Sequence, residues 1–127
     1  MNTNVISVKK DAPIFEAIEL LVNNNISGLP VVEDDMTLAG ILSEKDVVEL
    51  FYDSEQAENK TVEEYMTCPA VHFEENNALS NVCDFLGKNI FGRVPITSDG
   101  KLVGIISIQD ILNTVLQLRR EQVVGTN

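Results

Sequence analysis

Histidine occurs once in this chain of 127 residues, at His72, and cysteine twice, at Cys68 and Cys83. The two thiols have neither CxxC spacing nor companion ligands, so zinc is not expected and no metal ligand is assigned. A Cys/His catalytic pair, Cys68 or Cys83 with His72, is allowed by composition, but nothing in the sequence positions it. Cys83 falls on the apolar face of an expected helix and reads as a small buried hydrophobe, whereas Cys68 falls in a turn before a strand. No apolar run approaches the ~20 residues of a membrane span, and no charged-then-apolar leader is visible, so the chain reads as cytoplasmic. Basic residues are scarce: nine Lys and Arg against twenty Asp and Glu give a net charge of −11. That balance repels phosphate backbones and anionic bilayers, so neither nucleic acid nor a membrane is an expected partner. There is no GxxxxGK[ST] loop, no paired carboxylate set in a defined cleft and no nucleophile with a base. The chain is therefore not expected to be an enzyme, and no catalytic residue is assigned.

What is present suffices for one compact fold. A chain of this length buries roughly two thirds of its unfolded surface without a disulfide or metal staple, and 44% hydrophobic residues put it above the range of disorder. Much of the acidic excess is local: Glu44, Asp46, Glu49, Asp53, Glu55, Glu58, Glu63 and Glu64 are countered only by Lys45 and Lys60. A solvated helix face and linker is the simplest account of that run.

The chain repeats itself. "GILSEKD" at Gly40 to Asp46 returns as "GIISIQD" at Gly104 to Asp110. Ile14, Ala17, Ile18 and Leu21 follow the spacing of an amphipathic helix, and Leu79, Val82, Cys83 and Leu86 repeat it 65 residues later. Asp11 and Asn76 are matching N-cap candidates. Each helix leads to a strand containing proline, "ISGLPVV" with Pro30 and "FGRVPIT" with Pro95, placed at a sheet edge or strand start because proline lacks an N–H. Asp34-Asp35 and Asp99-Gly100 read as hairpin turns. The returning strands, Leu38 to Leu42 and Leu102 to Ile106, are apolar enough to be buried on both faces. Ser43 and Ser107 then cap second helices, carrying Val47, Val48, Leu50 and Phe51 in one copy and Ile108, Ile111, Leu112 and Val115 in the other. Short strands, "NVISV" at Asn4 to Val8 and "AVHF" at Ala70 to Phe73, open the units.

The fold class is thus α+β: two β-α-β-β-α units packed by pseudo-twofold symmetry over a common core. Residues 1–52 form the first repeat, 53–67 an acidic linker and lead-in, 68–118 the second repeat, and 119–127 a tail expected to fray from Arg119.

This ordered set resembles a tandem pair of CBS domains, the cystathionine β-synthase type repeat that forms a Bateman module. The resemblance is carried by "ISGLPVV" and "LAGILSEKDVVEL" in the first copy, and by "YMTCPAV", "FGRVPIT" and "DGKLVGIISIQDIL" in the second. There are two departures. The first unit lacks the lead-in that "EEYMT" supplies to the second, and Gly28 stands where many members, like Arg93 here, carry a basic residue two before the proline.

The resemblance implies a regulatory module that binds an adenosyl ligand of the AMP, ADP, ATP, adenosine or S-adenosylmethionine class, with no required cofactor. By that likeness Ser43 and Asp46 would hold the ribose and phosphate region in one cleft, and Ser107 and Asp110 in the other. The base would rest on the opposite copy: Val71 and Phe91 beside Asp46, Ile6 and Ile26 beside Asp110. A carboxylate can accept both ribose hydroxyls, and Gly40 and Gly104 allow close approach of a ligand or of backbone. The competing account is structural: Ser-x-x-Asp is a helix cap worth ~1 kcal/mol, and the four apolar residues are core by default. Arg93 is the leading phosphate candidate, with Lys45 and Lys101 as alternatives. The charge of −11 favours AMP, adenosine or an S-adenosyl compound over ATP. The resemblance further implies a homodimer through module faces, to which Phe51, Leu116 and Leu118 could contribute, and a regulated protein partner. The alternative function is a ligand-free oligomerisation or docking module.

Overall fold

The computed structural model describes residues 2–77, 79–88 and 92–125. In chain order the elements are β1 (Val8–Lys9), α1 (Ile14–Asn23), β2 (Gly28–Val32), β3 (Leu38–Ser43) and α2 (Glu44–Val47), followed by 3-10 turns at Val48–Phe51, Ser54–Ala57 and Val62–Glu64. The second half has β4 (Phe73–Glu74), α3 (Leu79–Lys88), β5 (Arg93–Ser98), β6 (Lys101–Ser107) and α4 (Ile108–Gly125). Two three-stranded sheets result, ordered β1-β2-β3 and β4-β5-β6. In each, the short first strand pairs parallel and the hairpin antiparallel, and the register shifts between Val31 and Val32 and again between Ile96 and Thr97. The sequence repeat is therefore a structural repeat down to its bulge.

Turn chemistry makes the hairpins. Asp99 and Gly100 both take positive φ, 51° and 80°, as a two-residue turn matched to strand twist requires. The first loop is longer, and Asp35 Oδ1 accepts the Thr37 N–H at 3.0 Å within it. Pro30 and Pro95 lie in the central strands rather than at an edge. Pairing with β1 begins at Val31 and with β4 at Ile96, one residue further on, so the missing N–H faces no third strand. The two opening strands are shorter than expected, two residues each.

The apolar faces pack in two clusters. Val8, Ile14, Ala17, Leu21, Leu29, Val31, Leu42 and Val47 form the first, and Val82, Leu86, Val94 and Ile96 the second. Several expectations are corrected here. Helix α1 starts at Ile14 with Pro13 at its N-cap; proline's fixed φ suits a helix start, and Asp11 stands outside. Asn76 likewise precedes α3 in a turn, where Asn77 Oδ1 accepts the Glu74 N–H at 2.8 Å. Cys83 is exposed, not buried. Helix α3 meets its sheet along the Val82–Leu86 line, which turns Leu79 and Cys83 outward. The second helix of the first repeat lasts a single turn before becoming 3-10, and only Val47 is buried, with Val48 and Phe51 exposed. Helix α4, by contrast, does not fray at Arg119 but runs to Gly125, and Arg119, Arg120, Glu121 and Gln122 are residues of good helix propensity. The returning strands bury one face, not two: Gly40 and Leu42 are buried while Ile41 is half-buried. Within the acidic segment, Ala57 and Val62 are fully buried in the first core, and Val62 N–H donates to Ala12 O at 2.9 Å.

Each repeat sends its lead-in to the other. Thr67 and Ile41 exchange backbone hydrogen bonds at 2.8 and 2.9 Å, and Asn2 and Ile105 exchange a matching pair at 3.0 Å. The lead-in that seemed missing from the first repeat is thus supplied by Asn2, because a backbone bridge needs only an N–H and a C=O. Leu38 N–H to Gly100 O and Leu102 N–H to Met36 O join the two hairpins at 3.0 and 2.9 Å. Gly40 makes the crossing feasible: a Cβ there would lie 2.7 Å from the Thr67 carbonyl oxygen and 2.9 Å from Met66 Sδ. Among the described residues no helix is long and apolar enough to cross a membrane.

Candidate functional site

The crossing leaves a cavity of about 420 Å³ between the repeats. Strand β2 contributes Gly28 and Pro30, and the end of β3 with the start of α2 contributes Ser43, Lys45 and Asp46. The second repeat closes it with Val71, Phe85, Arg93, Pro95 and Ile105, and its lead-in adds Thr67. The walls are mainly apolar, and the charged residues among them are Glu44, Lys45, Asp46 and Arg93. Neither Lys45 nor Arg93 makes an ion pair among the described residues, where the pairs are Lys10–Glu33 and Lys60–Glu64.

Asp46 is held by the cap. Its Oδ2 accepts the Ser43 N–H at 2.8 Å and the Ser43 hydroxyl at 3.1 Å. The Thr67 hydroxyl also donates to this carboxylate, at 3.3 Å from Oδ1 and 3.5 Å from Oδ2. The second copy is simpler. Asp110 Oδ2 accepts the Ser107 N–H at 2.8 Å, and Ser107 Oγ accepts the Asp110 N–H at 3.2 Å. The capping account of Ser-x-x-Asp therefore holds in both copies.

Ser43, Asp46, Val71 and Arg93 all line one cavity, together with Lys45. Ser107, Asp110, Ile6 and Ile26 do not line it; Ile26 packs against the first core and Ile6 is exposed. Phe91 lies outside the described residues. Lys101 sits at the start of β6, away from the cavity but near Asp35. The Asp35 carboxyl is held below its usual range, mainly by hydrogen bonds from Thr37 and to a lesser degree by the Lys101 charge. Sequence reasoning missed Thr67 and Phe85. Thr67 lay within the quoted "YMTCPAV" lead-in, but its reach to Asp46 depends on the crossing; Phe85 is off the periodic face of α3 and carried no signal.

Two pseudo-symmetric α+β units, exchanging lead-ins around a shared cavity, define a paired-repeat module. The family model for the CBS domain matches residues 1–53 and 62–117, and the chain belongs to the CBS-domain family. It is 35% identical over 112 residues to the uncharacterised protein MJ1225 of Methanocaldococcus jannaschii, covering 88% of this chain and 40% of that protein. It is 31% identical to the chloroplastic CBS domain-containing protein CBSX1 of Arabidopsis thaliana, covering 89% and 60%. The chain thus spans about two fifths to three fifths of the length of these curated relatives. It also matches 21% of the inosine-5'-monophosphate dehydrogenase of Methanocaldococcus jannaschii, at 34% identity. Among solved structures, CBSX2 in complex with AMP superimposes with a TM-score of 0.79 at 30% identity, covering 91% of this chain and 90% of that one. The CBS domain pair of MJ0100 in complex with 5'-methylthioadenosine and S-adenosyl-L-methionine gives 0.72 at 27% identity, covering 91% and 90%.

Proposed function

We propose that this chain is a non-catalytic regulatory module that binds an adenosyl ligand in the cavity between its repeats and signals through their packing. The observation that carries this is the convergence of Ser43 and Asp46 from one repeat with Val71 and Arg93 from the other around about 420 Å³. That volume lies within the ~300 to 1,000 Å³ of small-molecule sites. A mainly apolar wall suits a base, a carboxylate suits a ribose diol, and Lys45 and Arg93, which make no ion pair among the described residues, suit a single phosphate. A triphosphate is less well served, since Glu44 and Asp46 line the same cavity as those cations. The complexes of CBSX2 with AMP and of MJ0100 with S-adenosyl-L-methionine support the ligand class. Any switch requires that the ligand bind two packings of the repeats unequally.

The test is thermal unfolding with AMP, ADP, ATP, adenosine and S-adenosylmethionine. At ~100 times its Kd a true ligand stabilises by ~2.7 kcal/mol, and the absence of a shift for all five at millimolar concentration would rule the reading out. A second reading, homodimerisation or docking on a partner protein, is favoured by the exposure of Phe51, Leu116 and Leu118 at 85%, 51% and 55%. It is compatible with ligand binding.

A further inference from the structure

We infer that the Thr67 hydroxyl is an internal latch on the ligand site, occupying at Asp46 an acceptor position that a ribose hydroxyl must take over. The inference rests on the ligand reading above and concerns how that site is regulated. A carboxylate offers about four acceptor positions. At Asp46 three donors already point to it: the Ser43 N–H, the Ser43 hydroxyl and the Thr67 hydroxyl. A vicinal diol brings two more donors, so one resident must leave. The Ser43 N–H belongs to the helix cap and the Ser43 hydroxyl is its neighbour on the same turn. Thr67 comes from the lead-in to the other repeat, is exposed, and makes the longest contact of the three.

The second copy of the motif serves as an internal comparison. Among the described residues Asp110 accepts the Ser107 N–H, with Ser107 Oγ accepting the Asp110 N–H in return, and no hydroxyl from a lead-in reaches this carboxylate. The residue that bridges to the second returning strand is Asn2, and its side chain accepts the Asn4 N–H at 2.9 Å. Among the described residues the latch is therefore found at the first copy of the motif and not at the second. Its release has a structural consequence, since Thr67 is also the residue whose backbone pairs with Ile41 across the repeats. Ligand arrival at Asp46 removes one of the contacts that hold this lead-in, which couples occupancy to the packing of the two units.

Calorimetric titration of the full chain with AMP, as wild type, Thr67→Val and Thr67→Ser, tests this. Removing a competing hydrogen bond should tighten AMP binding about two- to tenfold in Thr67→Val, while Thr67→Ser, which keeps the hydroxyl, should match wild type. Hydrogen exchange gives a second readout: AMP should speed exchange at the Ile41 and Thr67 amides in wild type, and these amides should already exchange faster in ligand-free Thr67→Val. Equal or weaker AMP binding by Thr67→Val overturns the latch and leaves the ligand site standing; a weaker value makes Thr67 a ligand contact. If neither wild type nor Thr67→Val binds AMP, adenosine or S-adenosylmethionine, the ligand reading itself fails and the latch falls with it.

Discussion

The Thr67 hydroxyl, from the lead-in to the second repeat, lies 3.3 Å from Asp46 Oδ1 of the first, directly beside the backbone bridge that pairs Thr67 with Ile41. The motif that caps a helix is therefore also a point where the lead-in to the second repeat touches the first repeat through side chains.

Asp46→Ala separates the two roles of that carboxylate. Losing the cap should lower stability by ~1 kcal/mol, whereas losing a charged acceptor for ribose, at ~1.5 to 3 kcal/mol per hydrogen bond, should weaken AMP at least tenfold. Denaturant titration and calorimetry read the two effects independently. Equal AMP affinity in the variant would leave Asp46 as a cap alone.

Gly40→Ala should destabilise by ~1 to 3 kcal/mol, because the added Cβ meets the Thr67 carbonyl oxygen at 2.7 Å and backbone cannot swing aside. The effect appears as a lower denaturation midpoint at unchanged m-value. A wild-type midpoint would show that the lead-in crossing is loose in solution.

Glu74 predicts an acid-limb effect. Its carboxyl is held below the ordinary glutamate value of 4.5, first by the Thr97 hydroxyl, against the opposing cost of burial, with further help from the Gly100 and Asp99 N–H groups. Because the folded pKa is depressed, this stabilisation is present above the unfolded pKa and is lost as pH falls through the folded one. Glu74→Gln should therefore flatten the loss of stability below about pH 4.5 while changing little of its slope near neutrality, as followed by urea midpoints against pH.

Both thiols are exposed, so native protein should react with a thiol reagent at Cys68 and Cys83 without denaturant. A single fast thiol, with the second released only on unfolding, would place Cys83 back in the core.

Much of this architecture is legible along the chain. The doubled heptapeptide, the 65-residue spacing of Pro30 and Pro95, and the Asp99-Gly100 turn are local signals, and each corresponds to a local feature of the fold. Even so, equal positions need not carry equal residues. Where Glu74 accepts the N–H groups of Asp99 and Gly100, its counterpart Lys9 donates to the carbonyls of Glu33 and Asp34, each at 3.3 Å. A turn offers both donors and acceptors, so either sign of charge can tie it down.

By itself the sequence determined the repeat, the order of elements and the Ser-x-x-Asp caps, because these depend on periodicity and on contacts within a few residues. Only the tertiary structure decided which repeat each lead-in crosses to, why Gly40 must be glycine, and that Thr67 reaches Asp46. Backbone bridges such as Asn2 to Ile105 are formed by groups common to every residue and leave no side-chain signature. The same holds for Cys83 and Leu79: helical spacing defines a face, but the orientation in which α3 settles on its sheet decides how much of that face is covered.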